Sequence, residues 1–127
     1  MKEITKSWLE FVNKDLALVE ELIGKGQHAE VISFHLQQAI EKIIKAYIQE
    51  TSEIEPPKIH NLIALINVAN LEVDEQDEEV LNDLNFIYIE SRYPQSIREL
   101  EDYLTNEKID ALYNSVKRLV LWIRQKL

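Results

Sequence analysis

Apolar side chains follow Ile4 at Trp8, Phe11, Val12, Val19, Leu22 and Ile23. Their three- and four-residue spacing gathers them on one face of a helix, and Gly24, Lys25 and Gly26 end it. A second helix is predicted from Gln27 or His28 to about Glu50. Its stripe is Ile32, Leu36, Ala39, Ile40, Ile43 and Tyr47, with Glu41 placed four residues before Lys45. It stops ahead of Pro56 and Pro57, since a proline inside a helix removes a hydrogen bond and pushes its predecessor into extended geometry. The stretch from Ile59 to Ala69 reads as a short third helix.

From Glu72 to Glu79 six of eight residues are acidic, and they precede a periodic set of Val80, Leu81, Leu84, Ile87 and Tyr88. Carboxylates in a first helical turn stabilise the positive end of the helix dipole. The strip is therefore read as the start of a fourth helix, with a recognition surface as the alternative. Pro94 is expected to close that helix near Ser91, and Ile97 to Leu104 to add one more short turn. Thr105 is the expected N-cap of the last helix, whose stripe is Ile109, Leu112, Val116, Leu119, Val120, Ile123 and Leu127. Three long helices, a fourth of moderate length and short connections predict one all-α domain over residues 1–127. Its expected form is an antiparallel up-and-down bundle of four to five helices. Leu16, Phe34, Ile48, Tyr113 and Trp122 lie off the main stripes and suggest a second apolar face and a homodimer. A wide stripe within a monomeric bundle is the other reading of the same residues.

Composition narrows the function. The 127 residues are 46% hydrophobic and carry no Cys, 2 Gly and 3 Pro, which suits long helices and excludes a disulfide scaffold. No apolar run reaches the roughly 18 residues of a membrane span, and the N-terminus has no apolar signal segment, so a soluble cytoplasmic protein is expected. Fourteen Lys and Arg against 23 Asp and Glu give a net charge of -9, which opposes broad electrostatic capture of nucleic acid but leaves room for a local basic patch.

No Glu is followed by His three residues later, so the di-iron pattern of helical bundles is missing. His28, His35 and His60 have no ligand-like spacing, and no metal or cofactor is expected. Two glycines make no phosphate loop, and no Ser sits in a glycine-framed elbow. Two segments carry chemistry. On the second helix, His35, Gln38, Lys42 and Lys45 fall near one face: Gln38 suits a base or phosphate and the two lysines suit an anion, while a solvated flank paired with Glu41 is the plainer reading. Asp15, on the apolar stripe of the first helix, needs a partner, and Lys42 or Lys45 is the candidate. In Glu90-Ser91-Arg92-Tyr93-Pro94, an Arg and a Tyr meet at a helix break. Arg92 is suited to hold a phosphate and Tyr93 to stack on a base, or the pair caps and packs the helix end.

Gln37-Gln38-Ala39-Ile40-Glu41-Lys42-Ile43-Ile44-Lys45-Ala46, then His60-Asn61-Leu62, then Ser91-Arg92-Tyr93-Pro94 resemble, in order and spacing, the HEPN domain family, over nearly the whole chain. The resemblance implies a dimerising bundle of four to five helices, often paired with a minimal nucleotidyltransferase in a toxin-antitoxin-like or nucleotide-handling module. Catalytic members of the wider family are metal-independent ribonucleases that use an Arg followed, after four to six residues, by a His. The Arg polarises the phosphate and the His manages the 2'-hydroxyl proton. Arg92 matches the Arg, whereas Ile97, Arg98 and Glu99 stand where the His would fall. Tyr93 lies where related toxins carry a tyrosine modified by the partner enzyme. The expectation is a nucleotide- or RNA-phosphate-binding module with a site of Arg92, Tyr93, Gln38, Lys42, Lys45 and His60. Its alternatives are a ribonuclease with His60 or His35 as the base, and a purely structural interaction protein.

Overall fold

Side-chain caps decide where three of the helices begin. Asn61 Oδ1 accepts from the Ala64 amide at 3.0 Å, Asp74 Oδ1 from Asp77 at 2.8 Å, and Thr105 Oγ1 from Lys108 at 3.2 Å. Each satisfies an amide that a first helical turn leaves without a partner. The computed structural model describes residues 1–26 and 28–127. It contains six helices: α1 (Glu3–Leu22), α2 (Ala29–Thr51), α3 (Leu62–Ala69), α4 (Glu75–Glu90), α5 (Pro94–Tyr103) and α6 (Asn106–Arg124). The described residues form no strand, and the molecule is an all-α bundle.

Several boundaries move from their predicted places, each for a local reason. α3 starts at Leu62 rather than Ile59, because Asn61 caps it. α4 stops at Glu90, and Pro94 opens α5 instead of merely closing α4: a proline at the first helical position gives up an amide that had no helical partner. α5 is thereby a ten-residue helix rather than one short turn, which raises the helix count to six. Gln27, one of the two predicted starts of α2, lies outside the described residues. His28, the other, is the residue before the first turn. α1 does end at its glycines, since Gly24 and Gly26 hold φ of 81° and 69°, the left-handed region open to glycine. The acidic strip does start a helix, with Glu75, Asp77 and Glu78 in the first turn of α4.

α2 is the axis of the bundle and packs against α1, α3, α4, α5 and α6. Leu36, Ala39, Ile40, Ile43 and Ile44 are fully buried, as are the polar Ser33 and Gln37. A helix enclosed on every side needs apolar residues beyond one stripe, and this accounts for most of those expected to form a second apolar face. Ile48 is in the core, while Leu16, Tyr113 and Trp122 pack partly buried against it. α1 buries Thr5, Val12, Asp15 and Val19, which turns Ile4 and Phe11 of the predicted stripe outward to about half exposure. Its N-terminal end is tied to the last turn of α2, where Glu50 Oε1 accepts from the Lys2 amide at 3.0 Å and the Thr5 hydroxyl at 2.9 Å. The Lys2 bond first, and then the Thr5 bond, hold the Glu50 carboxyl below its usual range. No helix is long and apolar enough to cross a membrane.

Ile40→Ala, at the centre of α2, is expected to lower unfolding free energy by about 2–5 kcal/mol through lost burial and the cavity it leaves. Ile4→Ala, half exposed on α1, is expected to change it by about 0.5 kcal/mol or less. Urea unfolding followed by circular dichroism measures both, and equal losses would contradict the placement of the core.

Candidate functional site

Two buried carboxylates organise the polar side of α2, and each holds one lysine and one histidine. Asp15, at 5% exposure, receives His35 Nδ1 on Oδ1 and Lys42 Nζ on Oδ2, both at 2.8 Å. Glu41, also at 5%, receives Lys45 Nζ on Oε2 at 3.1 Å and His60 Nδ1 on Oε1 at 3.0 Å. Gln37, one turn before Glu41, donates to Glu41 Oε1 at 3.2 Å and to the His60 carbonyl at 2.9 Å. Gln38 in turn donates to Gln37 Oε1 at 2.8 Å. Aromatic rings of α1 shelter the two lysines: Lys42 Nζ lies 5.4 Å from the centre of Phe11 and Lys45 Nζ 5.9 Å from that of Trp8.

Of the two partners expected for Asp15, Lys42 is the one that meets it, joined by His35; Lys45 goes to Glu41 instead. The structure pairs both lysines internally: Lys42 meets Asp15, and the buried Lys45 meets Glu41, so each positive charge has a carboxylate beside it. Gln38 likewise points into the Gln37–Glu41 network.

A second group of side chains gathers on Tyr88 of α4. Its ring stacks on Phe34 at a centroid distance of 5.7 Å and an angle of 18°, lies 5.5 Å from the His60 ring, and carries the Arg92 guanidinium at 5.3 Å. Tyr88 and Arg92 meet because residues four apart share a helical face at the end of α4. Arg92 is exposed and forms no ion pair among the described residues. Pro94 then holds Tyr93 in extended geometry (φ -118°, ψ 119°), and Tyr93 is left 52% exposed beside Arg92.

His60 belongs to both groups. Because a carboxylate can only accept, the His60 Nδ1 that bonds Glu41 carries the proton of that bond, which turns Nε2 of this exposed ring away from the pair. Its backbone is fixed as well, through the Gln37 bond on one side and, two residues on, the Leu62 amide donating to Asn85 Oδ1 at 2.9 Å. Arg92 and His60 therefore border one surface across the Tyr88 ring, with the exposed Tyr93 next to Arg92 in the chain. Arg92 suits a phosphate held in two hydrogen bonds, and the exposed Tyr93 ring suits a base, while the buried Tyr88 ring supports Arg92.

Three participants were not assigned to a site from the sequence: Glu41 as the support of His60, Tyr88 as the platform, and Phe34 beneath it. The i, i+4 relations Gln37–Glu41–Lys45 and Tyr88–Arg92 were the available signals. Among the described residues no three His, Cys, Asp or Glu side chains converge as metal ligands.

Lys45→Met removes one partner of a buried ion pair and is expected to cost about 3–5 kcal/mol of stability. Adding Glu41→Leu is expected to recover most of that loss, because the stranded charge goes too. Thermal unfolding of both variants measures the difference, and a double variant no more stable than the single would contradict it.

Comparison with known proteins completes the site's context. The HEPN domain model matches residues 5–126. No curated protein matches the chain. Among solved structures, the crystal structure of TT1696 from Thermus thermophilus is similar, with a TM-score of 0.81, 22% identity, and coverage of 99% of this chain and 100% of that one. At that identity the likeness speaks for the fold. Because the family model spans nearly the whole six-helix bundle, the chain belongs to the HEPN domain family.

Proposed function

We propose that the protein is a nucleotide- or RNA-phosphate-binding HEPN module whose ligand rests on Arg92, Tyr88, Tyr93 and His60. The observation that carries this reading is an exposed Arg92 with no acidic partner among the described residues, laid on the same Tyr88 ring that neighbours His60. A guanidinium free of carboxylates keeps its donor fork for a phosphate, and the exposed Tyr93 ring gives a base a surface to stack on. The reading extends to a cytoplasmic toxin-antitoxin-like pair with a minimal nucleotidyltransferase, supported by family membership and by Ile97, Arg98 and Glu99 standing where the ribonuclease histidine would fall. Homodimerisation belongs to the same proposal. Phe86 and Ile89, three residues apart on α4, and Tyr93 just beyond its end are each more than half exposed.

A second reading rests on the Glu41–His60 pair. An imidazole oriented by a carboxylate, with a free Nε2 and a guanidinium across a shared ring, has the parts for metal-independent RNA cleavage. His60 Nε2 takes the 2'-hydroxyl proton and Arg92 neutralises the phosphate as it is attacked.

Arg92→Ala is expected to weaken binding of a labelled oligoribonucleotide, or of a nucleotide in calorimetry, by about 10–100-fold. Unchanged affinity would remove Arg92 from the site. Incubating the RNA with EDTA separates the two readings. Cleavage by the wild type that His60→Ala abolishes without loss of binding establishes the ribonuclease, whereas intact RNA bound by the wild type establishes the binding module.

A further inference from the structure

The C-terminal half of α6 is charged in the opposite sense to the rest of the chain. From Ala111 to Leu127 there is no Asp or Glu, while Lys117, Arg118, Arg124 and Lys126 all fall there, in a protein of net charge -9. α1 and α6 each pack along α2, and side chains bridge the space between them. Tyr113 Oη donates to Glu20 Oε1 at 2.6 Å, and Arg124 Nη2 donates to Asn13 Oδ1 at 2.7 Å. Burial, and then the Glu20 bond, push the Tyr113 hydroxyl up to about 12, so it stays a donor and the bridge persists at neutral pH.

Beside these bridges lies an open groove of about 530 Å³. Leu16, Val120 and Leu121 are its apolar members, and Lys117, Arg118 and Arg124 its cations. Leu121 is 56% exposed, a large apolar side chain that nothing in the fold covers. Arg118 is paired with Asp77 at 2.6 Å, but the other two cations have donor capacity to spare. Lys117 sits 4.6 Å above the Tyr113 ring and meets no carboxylate among the described residues. Arg124 makes a single hydrogen bond, to Asn13, and its Nε is buried without a partner.

We propose that this groove docks an acidic amphipathic helix of a second protein. The occupant lays apolar residues at helical spacing onto the exposed Leu121 and the half-buried Leu16, over a floor that includes the buried Val120, and carries Asp or Glu along its flanks toward Lys117 and Arg124. Charge complementarity selects it. A two-fold pairing of this face with its own copy would bring Lys117 and Arg124 of both chains together, which like-charge repulsion opposes. RNA would find cations here but an aliphatic floor with no ring to stack on. A furrow between two helices fits a third helix laid along it, read through apolar anchors three and four residues apart. The groove is built on α1 and α6 and shares no residue with the Arg92 surface on α4.

The test uses the full chain and a labelled synthetic helix with Leu at every third or fourth position and Glu elsewhere, against the same helix with Lys in place of Glu. Fluorescence anisotropy is expected to show saturable binding of the Glu helix only, weakened by salt. Leu121→Asp and Lys117→Glu, both at exposed positions, are each expected to weaken it by about tenfold or more while their melting temperatures stay within a few degrees of wild type. Arg92→Ala is expected to bind the helix as wild type does, so failure of the Arg92 surface and failure of this groove are separate results. Equal binding of the two helices, or a Leu121→Asp variant that binds normally, overturns the proposal. So does a groove that takes another occupant: uridine homopolymer or phosphatidylglycerol vesicles bound in a Lys117-dependent way without binding of the Glu helix, or Leu121-dependent self-association in size-exclusion chromatography.

Discussion

Glu41 carries its charge on a helix that five others surround, so that charge has to be answered inside the protein. A carboxylate taken out of water and left alone costs several kcal/mol. Lys45 one turn on, Gln37 one turn back and His60 from the segment after α2 supply the answer. The consequences reach well beyond the pair. The Gln37 amide that bonds Glu41 also holds the His60 carbonyl, and Asn85 of α4 holds the Leu62 amide while donating to the Asn61 cap. The connection from α2 to α3 is therefore shaped by the demands of a buried carboxylate as well as by its own prolines and the Asn61 cap. Asp15 imposes the same constraint on α1, fixing its rotation against α2 through Lys42 and His35.

That arrangement divides labour among the polar residues. The two lysines and two glutamines on α2 are taken up by internal charge and hydrogen-bond matching, so none of the four is free to serve first as a ligand contact. What the network presents outward is one nitrogen of His60. Arg92 reaches the same place from the far end of α4, on a ring that packs against Phe34 and His60. The buried network serves as scaffold, and the surface proposed for a ligand lies at its edge.

The helices were legible because burial against a bundle imposes a 3.6-residue period, and the stripes of α2 and α6 follow it. Asp15 was legible as an anomaly, a carboxylate on an apolar stripe that needed a cation, and Lys42 was one of the two cations named for it. α5 was less so: Pro94 signals a stop and a start with equal force, and only the Tyr93 geometry settles it as a start. The outward turn of Phe11 was hidden because α1 spends part of its inward face on Thr5 and Asp15, which a count of apolar residues does not weigh. The site was half visible. Arg92, Tyr93 and His60 could be named, but Glu41 and His60 are joined across a loop, and Tyr88 reads as one more core residue because its ring is buried on one side and used on the other.

Ion pairs nearer the surface also sort charge along the bundle. Asp77, in the acidic first turn of α4, is spent on Arg118, and Asp83 one face over on Lys108, so α4 and α6 hold each other by pairs that leave the acidic excess at the start of α4. α6 beyond Ala111 has no acid of its own to neutralise Lys117 or Arg124, and α1 lends only a neutral Asn13 and a Glu20 already bonded to Tyr113. Arg92 and Lys117 are thus cations without a carboxylate partner among the described residues, Arg92 beside aromatic rings and Lys117 beside a groove with an aliphatic floor. The neighbouring side chains distinguish them: rings favour a base next to a phosphate, and leucines favour another protein's apolar face next to its carboxylates.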